Sequence, residues 1–370
     1  FQKLSYSCHS MIIRLPISAA ALLTCALAAA QIQEYPVPFP KPIGHGTDTV
    51  NVVIIGDVMM HSRQLEYDCT TFLEGIRHEL RQADIAIANM EFSLGGQPYS
   101  GYPAFSAPDE YARYIVEDCG VDVLLTANNH ILDRGRRGLA RTLNVYDTLG
   151  VKHSGAAADS ISLRNNYPLL VNAHGIRLAI LNFTYGTNNP AGKNPGWPAV
   201  NMMREEDVLS AIHRGKELEA DFMIAIPHWG TEYELNHDRK QEEWAGRLIS
   251  QGTDVIVGAH PHVVQDTTHI KNVPVIYSTG NAISNMSARN TRLGLVVKIK
   301  FIHDTASGTK RMLEPELRFT WCTLPGTLTE GYKTIFCDEW AGRREEWKNP
   351  SDYDNMIATL DRVKKATGIE

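Results

Sequence analysis

Val50-Asn51-Val52-Val53-Ile54-Ile55-Gly56-Asp57 is a short, β-branched, mostly apolar run that stops on a glycine and a carboxylate. A run of that length and composition reads as a buried strand whose carboxyl end presents a polar residue. The same unit recurs downstream. Ile85-Ala86-Ile87-Ala88 ends on Asn89-Met90-Glu91, and Val123-Leu124-Leu125-Thr126-Ala127 ends on Asn128-Asn129-His130. Phe222 to Ile226 ends on Pro227-His228-Trp229-Gly230, Val255-Ile256-Val257 on Gly258-Ala259-His260-Pro261-His262, and Val275-Ile276-Tyr277 leads to Gly280-Asn281. Helical patterns fall between these runs: from a Thr71/Glu74 capping box to Gln82, Pro108 to Cys119, Arg136 to Leu149, Glu205 to Leu218 and Asp238 to Gln251. Strands alternating with helices imply a layered α/β domain with a largely parallel sheet. From Leu293 onward, Leu293 to Phe301 and Glu316 to Cys322 read as strands of an antiparallel extension of a second sheet.

The chain has 370 residues, 43% of them hydrophobic, and a formal net charge of −6. Scattered basic residues argue against nucleic acid or an anionic membrane surface as the main partner. Met11 to Arg14, the apolar stretch Leu15 to Ala28 and Ala28-Ala29-Ala30 resemble the three regions of a signal peptide, with Phe1 to Ser10 an upstream read-through. Residues 1–30 are therefore expected to be removed and the mature chain exported to the periplasm, cell surface or medium. Leu22-Leu23-Thr24-Cys25 supports a rival reading, a lipoprotein site at Cys25, although Thr before the Cys fits it poorly. Residues 31–49, with Pro36, Pro38, Pro40 and Pro42, read as a linker. Residues 50–325 then form one domain, and 326–370 an appendage with an amphipathic helical pattern from Tyr353 to Lys365. Four cysteines follow the cleavage point. Cys322 and Cys337 fit either a local disulfide or two buried thiols, and no Cys pair has zinc-finger spacing.

Chemistry concentrates where the strands end. Asp57, Glu91, Asn129 with His130, His228, and His260 with His262 all occupy equivalent places at carboxyl ends, which in α/β sheets share one ligand-binding rim. A single histidine is more often a surface or core group; a series in register with strand ends is not explained that way. Carboxylate, amide and imidazole ligands without thiolates suit a divalent ion such as Mn, Zn or Fe. Alternation would point His260 and His262 to the same side of an extended segment. Tyr99, Tyr102, Phe105, Trp197, Trp229 and Tyr233 lie in loops near these motifs, where they suit either packing or stacking on a sugar or peptide. Asn182-Phe183-Thr184 and Asn285-Met286-Ser287 match a glycosylation acceptor pattern and are read as chance.

The ordered series Gly56-Asp57, Asn89-x-Glu91, Asn128-Asn129-His130-x-x-Asp133, His228-Trp229-Gly230-x-Glu232, Gly258-x-His260-x-His262 and Gly280-Asn281 resembles the CapA family of bacterial capsule and poly-γ-glutamate synthesis proteins. That family is similar to calcineurin-like metallophosphatases, so the resemblance implies a four-layer α/β/β/α sandwich of two mixed sheets with one or two divalent metals at the strand ends. It assigns Asp57 and His262 to a first metal, Asn129, His228 and His260 to a second, and Glu91 to the bridge between them. It places His130 toward the leaving group with Asp133 orienting it, and leaves His61, Asn89, Asn128, Glu232 and Asn281 as further site residues. Two departures stand out: the superfamily's Asp-x-His becomes Asp57 with His61 four residues on, and its bridging Asp becomes Glu91. The resemblance implies a metal-dependent hydrolase acting on a phosphoester or γ-glutamyl substrate. A non-catalytic assembly or export factor at the cell envelope, binding polyanionic capsule polymer or a glycan, is the alternative.

Overall fold

The computed structural model describes residues 46–370. The expected signal peptide, Cys25 and most of the expected linker lie outside the described residues. The linker's last residues, 47–49, already belong to a strand: β1 runs Thr47–Val58 because Thr47 to Thr49 pair with Ile302 to Asp304.

In chain order the other strands are β2 (Ile85–Met90), β3 (Val123–Leu125), β4 (Lys152–Ser154), β5 (Ala156–Ala157), β6 (Leu169–Ala173), β7 (Ile176–Thr184), β8 (Ala199–Val200) and β9 (Phe222–His228). They continue with β10 (Val255–Val257), β11 (Thr267–Ile270), β12 (Val273–Ile276), β13 (Asn281–Ile283), β14 (Leu293–Asp304), β15 (Thr309–Met312), β16 (Glu316–Thr323) and β17 (Lys333–Phe336). The helices are α1 (Arg77–Gln82), α2 (Asp109–Arg113), α3 (Gly135–Leu149), α4 (Ser160–Asn166), α5 (Glu205–Glu217), α6 (Arg239–Ser250), α7 (Cys337–Trp340) and α8 (Pro350–Thr367).

Among the described residues one sheet has the order β17-β16-β14-β1-β2-β3-β4, with β13 beside β1 and β15 beside β14. A second runs β11-β12-β10-β9-β7-β6. Both mix parallel and antiparallel pairs. Alternation within β1 sorts the layers: Val50, Val52 and Ile54 join Ile180, Ile224 and Val257 in a core between the sheets. Val53 and Ile55 face the opposite way, onto Leu80, Tyr111 and Tyr146 of the helical layer. The outer face of the second sheet, including Ala179 and Ala225, packs on Val208, Ile212 and Leu248 of α5 and α6. The result is helix, sheet, sheet, helix. Each large side chain buried in these cores contributes roughly 1.5–3 kcal/mol.

Several expectations change. β14 and β16 extend the first sheet and not the second, since β14 pairs antiparallel with β1 along Val53 and Lys298. β14 is a central strand, with Leu295 and Val297 facing the inter-sheet core and Val296 the outer layer. The segment expected as an appendage is built into the fold: β17 closes the sheet edge, and Met356, Val363 and Ile369 from α8 and its end join the inter-sheet core. Arg292 holds α8 through a buried two-point ion pair with Asp352, 2.6 and 2.7 Å. Thr71 opens no helix; a 3-10 turn at Cys69–Thr71 is capped by Asp68, and only Arg77–Gln82 is α-helical. The segment after Pro108 is α2 followed by a π turn at Tyr114–Asp118. Cys322 and Cys337 are separate buried thiols.

Candidate metal centre

Gly56 sets the geometry of the first ligand. Ile55 pairs with Ala88 and Asp57 with Asn89, so Gly56 is an extra residue, a bulge that re-aims Asp57. A Cβ at Gly56 would stand 1.9 Å from the Gly280 carbonyl, so only glycine lets β1 approach the turn before Asn281. Two residues beyond Asn89, Glu91 projects to the same side of its strand.

These ends converge. Asp57, Glu91 and His228 offer ligand atoms within 4.8 Å of one another, and so do Glu91, His260 and His262. Glu91 Oε1 lies 3.5 Å from His228 Nε2 and 3.7 Å from His262 Nε2. His262 Nδ1 is 3.3 Å from Asp57 Oδ2 and 3.0 Å from Asn281 Oδ1. Asn129 Oδ1 is 2.8 Å from His228 Nε2, and the His260 backbone N–H donates to Asp57 Oδ2 at 3.2 Å. His260 and His262 reach the site by a route the sequence does not announce. They are not extended: both have left-handed backbone, φ +101° and +58°, strain of the kind that collects at functional sites. Gly258 makes the turn feasible, because a Cβ there would meet the Tyr277 carbonyl at 2.1 Å and the Trp229 indole nitrogen at 2.4 Å.

The electrostatics match a cation site. Glu91 is wholly buried, and neither carboxylate oxygen has a hydrogen-bond partner. Burial, then the charges of Asp57 and Glu232, hold its proton well above the usual carboxylate range. Burial and the neighbouring imidazoles push His228 well below the ordinary histidine value and His260 down to about 3, so both rings are neutral and able to ligate. His260 Nδ1 is also buried without a partner. His262 is held above the ordinary histidine value, its burial outweighed by the hydrogen bond and charge of Asp57 and the contact with Asn281. A buried acid with no hydrogen-bond partner beside neutral His228 and His260 is expensive in the protein interior, and a divalent ion that displaced the protons of Glu91 and His262 would satisfy it. The residues present therefore fit a metal, with Asp57, Glu91, Asn129, His228, His260 and His262 placed to hold it.

The remaining candidates separate into roles. His130 Nδ1 sits 2.7 Å from Asp133 Oδ2, which also accepts the Phe105 backbone N–H at 2.8 Å, so the carboxylate fixes the ring. Asn89 Nδ2 donates to Asp57 Oδ1 at 2.7 Å and lies 3.3 Å from His228 Nδ1, orienting two ligands at once. Asn128 shapes its loop by donating to the Met90 carbonyl at 2.8 Å and accepting the His130 N–H at 3.1 Å. His61 is outside both ligand groups. Its Nδ1 lies 3.1 Å from Gln64 Oε1 and 3.2 Å from the Asn285 backbone N–H, and burial, with lesser pressure from His262 and His130, lowers it to about 4. Glu232 is exposed beside the site. Of the loop aromatics, Trp229 is a packing residue that donates to the Tyr277 carbonyl at 2.9 Å, and Phe105 meets the His130 ring edge-on at 4.6 Å.

Sequence reading passed over Tyr185 and Asn188 and took Asn182 only as part of a chance glycosylation match. Asn182, buried at the end of β7, accepts from the Thr126 and Ala127 backbones and donates to the Ile226 carbonyl, joining the strand ends that carry Asn129 and His228. Its signal was present: a polar residue closing an apolar strand, the criterion that found the ligands. Asn188 donates its backbone N–H to the Asn129 carbonyl at 2.8 Å.

The chain is similar to the capsule biosynthesis protein CapA of Bacillus anthracis, 26% identical over 300 residues that cover 77% of this chain and 71% of the relative. It is similar to the PGA biosynthesis protein CapA of Bacillus subtilis (strain 168), 24% identical over 287 residues, 74% of this chain and 72% of the relative. Among solved structures, the NAD nucleotidase of Haemophilus influenzae superposes with a TM-score of 0.48 and 12% identity, covering 85% of this chain and 63% of that one. A phosphatase from Mycoplasma pneumoniae gives a TM-score of 0.45 at 12% identity, over 74% and 94% of the two chains. Residues 51–286, which include every ligand candidate, match the model of the bacterial capsule synthesis protein PGA_cap, and the chain belongs to that family.

Proposed function

We propose that the chain is an exported, metal-dependent hydrolase of capsule polymer synthesis, acting on a γ-glutamyl or phosphoester bond. The observation that carries this reading is Glu91: a buried carboxylate with both oxygens unpartnered, ringed by Asp57, His228, His260 and His262. Buried charges of this kind are paired or coordinate metals. When bound, a divalent ion supplies an activated water and stabilises negative charge developing at the reacting centre.

The chain's own residues do the rest. Neutral His228 and His260, with Asp57, Glu91, Asn129 and His262, would hold the cation at the strand ends, while Asn89 and Asn281 orient those ligands. His130 stands beside the centre with Nδ1 turned to Asp133. That pairing puts the ring's first proton on Nδ1, so Nε2 would serve as a general acid in the imidazolium form, when it carries the second proton. The role in poly-γ-glutamate synthesis is supported by the Bacillus relatives, one named a capsule biosynthesis protein and the other a PGA biosynthesis protein.

The test combines metal content with turnover. After loading with Mn²⁺ or Zn²⁺ and exhaustive dialysis, the chain should retain one or two ions. It should then cleave p-nitrophenyl phosphate, bis-p-nitrophenyl phosphate or a γ-linked glutamate oligomer in a reaction that a chelator stops. A chain that retains no metal, or retains it and cleaves none of the three, refutes the hydrolase reading. Amino-terminal sequencing of cell-free and membrane fractions tests export.

A further inference from the structure

Two tyrosines wall the mouth of the metal centre. The Tyr185 backbone N–H donates to the His228 carbonyl at 3.0 Å, and its ring lies 4.6 Å from His260 and parallel to His228 at 6.5 Å. The Tyr233 backbone N–H donates to the Pro261 carbonyl at 2.9 Å, and its ring lies 6.4 Å from His262. Both rings remain open to solvent, 48% and 44% exposed, so packing alone does not account for them.

The loop that carries Tyr233 is held rigid. Tyr233 has φ +69°, a conformation costly for a bulky aromatic, which persists only where the surroundings enforce it. Here they do: wholly buried Gln265 donates to the carbonyls of Glu234 at 3.0 Å and Asn236 at 3.2 Å, and the Asp266 backbone N–H donates to the Leu235 carbonyl at 3.1 Å. Asp266 also accepts the His237 backbone N–H at 2.9 Å and faces its Nδ1 at 2.9 Å. Glu232 is exposed and precedes Tyr233 on the same loop.

We infer that Tyr185, Tyr233 and Glu232 form a subsite for a primary ammonium group, placing a free amine next to the reacting bond. Aromatic faces and a carboxylate attract a cation, whereas the same carboxylate repels an incoming polyanion. The inference rests on the hydrolase reading and deepens it. A γ-linked glutamate polymer carries a carboxylate on every residue but an ammonium only at its amino end, so this mouth takes the amino end of such a chain and not an interior segment.

The test is calorimetric binding to the metal-loaded full chain of a γ-linked glutamate trimer with either a free or an acetylated amino end. The free-amine trimer should bind about 10-fold more tightly, the scale of one cation–π contact plus one charge pair. Glu232→Gln should narrow the difference to under about 3-fold, the aromatic contribution alone. Tyr185→Ala should weaken the free-amine trimer more than the acetylated one. Equal binding of the two trimers to wild type, or binding of neither, overturns the subsite. So does a Glu232→Gln variant that binds both more tightly by the same factor, which would make the carboxylate purely repulsive, or one that loses metal, which would make it a support for the ion. Metal content measured on the same preparations reports separately on the hydrolase reading.

Discussion

Glu91→Gln keeps the side chain's volume and removes the charge on which the site depends. A protein site binds a divalent ion with about 10–16 kcal/mol when several ligands contribute. One ligand's share, about 3 kcal/mol, corresponds to ~100-fold in affinity, and Glu91 belongs to both ligand groups, so both would weaken. The metal-free chain should respond in the opposite sense. The folded-state pKa of Glu91 is raised above its ordinary 4.5 by burial first and then by Asp57. As pH climbs above that ordinary value, the unfolded chain sheds this proton while the folded chain keeps it or bears an unpaired buried charge. Wild type therefore loses stability, by about 1.4 kcal/mol for each unit of elevation, until pH passes the folded value. Glutamine does not titrate. Thermal melts of the two metal-free proteins should diverge in the variant's favour as pH rises above Glu91's ordinary 4.5, while equilibrium dialysis shows the variant binding metal ~100-fold more weakly. Unchanged metal affinity in Glu91→Gln, or parallel melting curves across that pH range, would refute the reasoning.

Metal affinity of the wild-type chain should rise with pH over the same range, by up to about tenfold per unit, because the ion displaces the proton held on Glu91; a competition titration with a chromophoric chelator at several pH values measures it. His130→Ala should leave metal content intact and lower turnover by ~100-fold or more. Asp133→Asn, which weakens the 2.7 Å contact that sets the ring, should lower turnover less and shift the pH profile of kcat. Gly258→Ala should destabilise the fold by about 1–3 kcal/mol in urea melts, because its Cβ would collide with the Tyr277 backbone carbonyl, and should also reduce metal affinity through the displaced His260.

Strand ends were legible because burial leaves a plain trace: an apolar run must stop where polar groups begin, and Asp57, Glu91, Asn129, His228, His260 and His262 all stand at such stops. Long helices were legible from periodicity, as α3, α5 and α6 follow it closely. What the sequence withheld is the pairing between distant segments. β14 is buried on both faces beside β1, and its sequence does not say which sheet it joins. β17 and α8 looked peripheral because their burial comes from partners far away in the chain, Arg292 among them. The backbone at His260 and His262 was hidden for another reason: a left-handed imidazole-bearing residue is rare, and alternation is the default assumption until the turn after Gly258 is seen. Tyr185 went unnoticed because its partner rings, His228 and His260, meet only in three dimensions.

A divalent metal held at the converged strand ends is the central claim, and anomalous diffraction from crystals of the Mn²⁺-loaded chain tests it most directly. One or two anomalous peaks should lie within ~2.2 Å of ligand atoms, with a Glu91 oxygen among the ligands of each and with His228 and His262 contributing imidazole nitrogens. No peak at these residues, with Glu91 instead hydrogen-bonded to a protein group or to water, would contradict the account.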